Sequence, residues 1–84
     1  MINNTYQKEY IKVYAVFNTN GYVIPKSFLY SDGNIYKIDK VKNMERKAST
    51  KVGGSGIRYT VLIQGEEKYI FRDEDKWYIE AKII

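Results

Sequence analysis

The chain contains neither cysteine nor histidine. Without cysteine there are no disulfides and no thiolate-held metals to stabilise it, and there is no sign of an oxidising compartment. Without histidine it lacks the side chain most often used as a general base and as a metal ligand. Proline occurs once and tryptophan once. No apolar run approaches the length of about 18 residues that a membrane-spanning helix needs. The opening residues Met1–Lys8 lack a basic segment followed by an apolar one, so no signal peptide is read there. The expectation is a soluble cytoplasmic protein with no membrane partner and no cofactor.

What the chain does have is aromatic bulk: nine Tyr, three Phe and one Trp in 84 residues. That length makes one domain, residues 1–84, which buries only about 60–65% of its unfolded surface. Large rings fill such a small interior efficiently, each covering on the order of 150–250 Å² when enclosed.

The apolar residues recur at period two in short runs separated by turn residues, the mark of β-strands. In the run Glu9–Phe17, Ile11, Val13, Ala15 and Phe17 fall on one face and Tyr10, Lys12 and Tyr14 on the other. Asn20-Gly21 fits the two left-handed positions of a type I′ turn. A second strand, near Tyr22–Tyr30, contains Pro25, which cannot donate to a ladder and so belongs at an edge or a bulge. After Asp32-Gly33, a third strand carries Tyr36, Ile38 and Val41. A bulge near Asp39-Lys40 would turn all three inward, and a short helix over 39–47 is the rival reading. Three further strands follow a Gly/Ser loop at 49–56: Ile57–Ile63, Lys68–Arg72 and Trp77–Ile83. Residues 1–8 lack a period and read as a frayed terminus. The expected fold is all-β: a single small antiparallel meander of five to six strongly bent strands, closing into an SH3-like or related small barrel. The expected core is Ile11, Val13, Ala15, Phe17, Phe28, Tyr36, Ile38, Val41, Tyr59, Val61, Ile63, Phe71, Trp77 and Ile79.

The motifs P-x-S-F-x-Y (Pro25–Tyr30), Y-x-I-x-x-V (Tyr36–Val41) and W-Y-I-E (Trp77–Glu80) resemble those of a group of small bacterial proteins of unknown function. The likeness spans roughly residues 22–80. It implies a free-standing β domain and carries no activity to transfer.

No catalytic constellation emerges from the remaining residue types, so a non-enzymatic protein is expected. The acidic turn Asp73-Glu74-Asp75 lacks the ligand spacing, the glycine and the twelfth-position Glu of a calcium loop. The stretch Lys51–Gly56 lacks the Gly-Lys-Ser/Thr ending and the helix of a phosphate-binding loop. Charge is more informative. The net charge is +4. From Lys37 to Arg58 seven basic residues face two acidic ones, and from Gln64 to Glu80 six acidic residues face three basic ones. The basic residues Lys37, Lys40, Lys42, Arg46, Lys47, Lys51 and Arg58 interleave with Tyr36 and Tyr59. With Tyr10 and Tyr14 on strand one they form a candidate binding set, since single-strand nucleic-acid binders combine cationic grooves with stacking rings. No ribonucleoprotein aromatic motif accompanies them. The favoured reading is a protein-interaction or structural module, its partner a protein or a second copy. An exposed patch of Tyr10, Tyr14, Tyr22, Tyr30 and Tyr78 would serve it.

Overall fold

A computed structural model describes residues 5–47 and 56–83. Seven strands are present: β1 (Tyr6–Phe17), β2 (Val23–Leu29), β3 (Ile35–Lys37), β4 (Lys40–Arg46), β5 (Ile57–Ile63), β6 (Glu66–Asp73) and β7 (Lys76–Lys82). They form one antiparallel sheet in the order β3-β2-β1-β7-β6-β5-β4. Among the described residues no helix is present, so the helical alternative for 39–47 is replaced by β4.

The expected class holds, and the strand count rises to seven for a local reason. The third strand is broken at Ile38–Asp39 into β3 and β4. Ile38 N–H donates to the Lys26 carbonyl of β2 at 2.9 Å, and Asp39 N–H donates to the Leu62 carbonyl of β5 at 2.8 Å. These two bonds join opposite ends of the sheet, which therefore curls into a barrel-like shell. The bulge itself lies further on than Asp39-Lys40: the register shifts between Val41 and Asn43, leaving Lys42 unopposed. Tyr36, Ile38 and Val41 all reach the core, as the sequence requires.

Pro25 sits beside a second bulge. Tyr14 pairs with Ser27 and Ala15 with Pro25, so Lys26 is the extra residue. The β1–β2 connection is not the type I′ turn expected from Asn20-Gly21. Only Gly21 takes a left-handed φ, at +85°, and Gly21 N–H closes the turn on the Asn18 carbonyl. The Asn18 side chain holds the observed turn, its Oδ1 accepting from both Asn20 and Tyr22 N–H. Two successive left-handed residues occur instead at Gln64 and Gly65, between the paired Ile63 and Glu66. At the N-terminus, β1 begins at Tyr6, so residues 6–8 of the stretch expected to fray pair with β7. Residues 48–55 of the Gly/Ser loop lie outside the described residues.

Phe28, Ile38, Tyr59, Val61, Ile63 and Ile70 form the buried core, with Ile11, Val13, Tyr36, Val41, Trp77 and Ile79 packed against it. Of the expected core residues, Phe71 is buried but outside this cluster, stacked on Tyr78, and two others are not buried at all: Ala15 is exposed, and Phe17 is 77% exposed. They share a face with Ile11 and Val13, but β7 accompanies β1 only as far as Ile11. Beyond that point β1 and β2 continue as a two-stranded arm with none of the described residues over this face.

Candidate functional site

The nine residues of the sequence-derived binding set do not converge. Lys51 lies outside the described residues. Lys37, Lys40, Arg46 and Lys47 are exposed along β3 and β4. Lys42 pairs with Glu67 at 2.9 Å, and Arg58 pairs with Glu45. Tyr10 and Tyr14 are on β1, four strands from β4 in the ladder order; only Tyr14 shares a row with a basic residue of the set on the β2 side, Lys37, two strands away through Ser27. The two rings that interleave with the basic stretch are not stacking platforms either. Tyr59 is 1% exposed in the core, and Tyr36 is half-buried against it. Exposed lysines spread along an edge strand resemble the protection of that edge more than a cationic groove.

Arg58 belongs to a different feature, on the sheet face opposite the core. The ladder registers Tyr10 against Tyr78, Tyr78 against Phe71, Phe71 against Arg58 and Arg58 against Glu45, one row crossing five strands. Phe71 stacks on Tyr78 at 5.1 Å, and Tyr10 meets Tyr78 edge-on at 6.0 Å. Cations cap the row: Lys8 lies 4.9 Å from the Tyr78 ring, Lys76 5.5 Å from Tyr10, and Arg58 4.3 Å from Tyr69. Tyr78, expected in the exposed patch, has no exposed surface. The row is a second apolar layer, buried at Phe71 and Tyr78 and open at Tyr10.

Two buried hydroxyls give this arrangement a measurable consequence. Tyr59 Oη donates to the Val23 carbonyl at 2.7 Å, whereas Tyr78 Oη is buried with no partner among the described residues. Removing a made bond costs about 1 kcal/mol, and removing an unmade buried hydroxyl costs nothing or stabilises. Urea midpoints should therefore fall for Tyr59→Phe and hold or rise for Tyr78→Phe. Burial pushes both phenols above their ordinary value of about 10. The fold thus favours the protonated form; this contribution is full below about pH 10 and is lost as pH rises through the raised values. Tyr78→Phe should flatten that alkaline decline, and a midpoint equally pH-dependent in the variant would show that Tyr78 does not contribute to it.

A concave site does exist, where β6 and β7 part. The two strands pair only at Phe71–Tyr78, Arg72–Trp77 and Asp73–Lys76. From there Glu66–Ile70 stays with β5 and Ile79–Lys82 stays with β1. The wedge between them opens a groove of about 560 Å³ over Phe28, Tyr30, Tyr36, Ile63, Ile70 and Ile79. Phe28 and Tyr36 stack at 5.5 Å, and Tyr30 stands edge-on to Tyr36 at 6.2 Å. Tyr36 Oη donates to Asp32 Oδ2 at 2.6 Å, and Asp32 Oδ1 accepts from Asn34 N–H. The tyrosine bond, more than the backbone one, holds the Asp32 carboxyl below its usual range, and Asp32 in turn raises the Tyr36 phenol. The turn thereby orients the ring. The rim carries the carboxylates of Glu66, Glu67 and Glu80 against the ammonium of Lys68, a net of −2 on a chain of net +4. Period-two patterning does not reveal this site, because where two strands separate depends on the other strands each of them pairs with.

Searches of protein-family models, curated proteins and solved structures find no match to this chain. Among the described residues no three acidic side chains converge as a metal site.

Proposed function

We propose that the protein is a non-catalytic interaction domain that holds an extended, cationic peptide segment in the groove between β6 and β7. The observation that carries this reading is the aromatic trio Phe28, Tyr30 and Tyr36 lying beneath two strands whose facing edges do not pair with one another. An extended segment entering there finds backbone groups on both sides and rings below, the combination used in strand addition. The rim charge selects its sign. Among the described residues Glu66 and Glu67 are held by exposed partners, Lys68 at 3.6 Å and Lys42 at 2.9 Å, and exposed pairs of this kind are worth about 0–1 kcal/mol. A ligand lysine or arginine can therefore displace them. The same charge repels nucleic acid, so the basic stretch from Lys37 to Arg58 remains the lesser alternative.

The test is selection of a displayed random nonapeptide library on the wild-type domain, followed by anisotropy titration of the enriched peptides. Enrichment of lysine- or arginine-bearing sequences is expected. Affinity should weaken at least tenfold, about 1.4 kcal/mol, in Tyr36→Ala and in Glu66→Lys. Glu66 is exposed, so its replacement leaves the fold intact. Retained affinity in both variants, or salt-sensitive binding of a dT12 oligonucleotide in place of peptide, would overturn the proposal.

A further inference from the structure

The β1–β2 arm poses a separate question. From Val13 to Pro25 there are thirteen residues without a charge, in a chain that is 29% charged. Four of the arm's side chains are open to water: Tyr14 at 43%, Val16 at 47%, Phe17 at 77% and Tyr22 at 55%. Together they present on the order of 400 Å² of apolar-rich surface, taking about 150–250 Å² for each ring. Both faces of the arm carry exposed apolar side chains, Tyr14 and Val16 on one and Ala15 and Phe17 on the other, and a two-stranded ribbon alone in water is marginal.

The arm's two edges differ. The β2 edge carries Pro25, which lacks an N–H, and the Lys26 bulge, whose carbonyl is already taken by Ile38. That edge cannot extend a ladder. The β1 edge facing away from β2 is continuous: β7 stops pairing at Ile11, and Val13–Phe17 contains no proline, no extra residue and no charge. Such an edge is a template for another strand.

We propose that β1 pairs antiparallel with β1 of a second copy, about a two-fold axis at Ala15. This register sets Val13 opposite Phe17 of the other copy and Tyr14 opposite its Val16, with the smallest side chain on the axis. Pairing is isologous, so the same strip serves both copies, and nothing on it carries like charge to repel. Because only one edge of the arm can pair, the assembly closes as a dimer and does not grow into a filament.

Sedimentation velocity between 1 and 100 µM is the direct test, with circular dichroism confirming that each variant is folded. Wild type should sediment as a dimer of the 9.9 kDa chain. Val16→Lys, at an exposed position, should raise the dissociation constant at least tenfold. Glu66→Lys, in the groove between β6 and β7, should leave it unchanged, which separates this proposal from the peptide reading. Since the chain has no cysteine, Ala15→Cys introduces a single thiol, and oxidation should cross-link two copies through it. A wild type that stays monomeric at 100 µM would overturn the proposal, whether or not it binds anionic vesicles. So would a Val16→Lys variant that dimerises as tightly as wild type.

Discussion

Val61→Asp is expected not to fold. Val61 has no exposed surface and sits in the core beside Tyr59, Ile63, Ile70, Ile38 and Phe28. Its cross-strand neighbours are Val41 and Lys68. A carboxylate there has two routes, and both are costly. Kept neutral at pH 7, it stands about three units above its ordinary pKa of about 3.9, a cost of about 4 kcal/mol. Its unbonded hydroxyl and the lost valine burial add about 3 kcal/mol more. Kept charged, it must draw Lys68 inward from a side chain that is 57% exposed and paired with Glu66, desolvating both ions. A chain of this length holds on the order of 4–13 kcal/mol in all. Val61→Ala, which removes two methyl groups and buries no polar atom, should cost about 1–3 kcal/mol and still unfold cooperatively. A Val61→Asp chain as stable as Val61→Ala would mean that Val61 is not in the core.

The strands were legible in the sequence because alternation depends only on the backbone. Period two places residues on a common face; it does not say whether anything covers that face. Ile11, Val13, Ala15 and Phe17 share one side of β1, yet burial ends after Val13 because β7 stops at Ile11. Covering both faces produces the opposite error. Ile70 and Phe71 are adjacent and point to opposite sides, and both are buried: Ile70 in the main core, Phe71 against Tyr78 in the second layer. A rule that assigns one wet face to each strand places Tyr78 in water, where it is not.

The candidate site was less legible still, for a related reason. Charge along the chain marked Lys37–Arg58, but the partners that answer Lys42 and Arg58 arrive from β6 and β4 through pairing that composition does not encode. The acidic third of the chain carried the better signal, since Glu66, Glu67 and Glu80 gather on one rim. Phe28, Tyr30 and Tyr36 lie within nine residues of one another, and a hairpin through Asp32-Gly33 brings such residues together. That proximity was readable. The parting of β6 from β7 above them was not, because it follows from β1 and β5 each holding one of the two strands.

Gly56→Ala is the second substitution expected to damage the fold severely, and the reason is backbone geometry. Gly56 leads into β5 with φ at +138°, a conformation that residues with a side chain rarely adopt. Its carbonyl accepts the Lys47 N–H at 3.0 Å, closing the end of the β4–β5 ladder. On the other side it presses against β6: a methyl group there would overlap the Arg72 carbonyl oxygen and lie 3.1 Å from the carbonyl carbon. Backbone atoms cannot swing away as a side chain can. Arg72 is held by Ile57 on one side and Trp77 on the other, so relief would have to open a ladder. Backbone strain of about 1–3 kcal/mol and overpacking of a similar size give a loss of about 2–6 kcal/mol. Gly33 supplies the control. It has φ at +85° and nothing within 4 Å of an added methyl, so Gly33→Ala isolates the conformational part, about 1 kcal/mol. At roughly 4–8 °C per kcal/mol for a domain of this size, the two melting temperatures should differ by about 4 °C or more. Equal losses in the two variants would mean that the approach of Gly56 to Arg72 contributes nothing to holding β5 against β6.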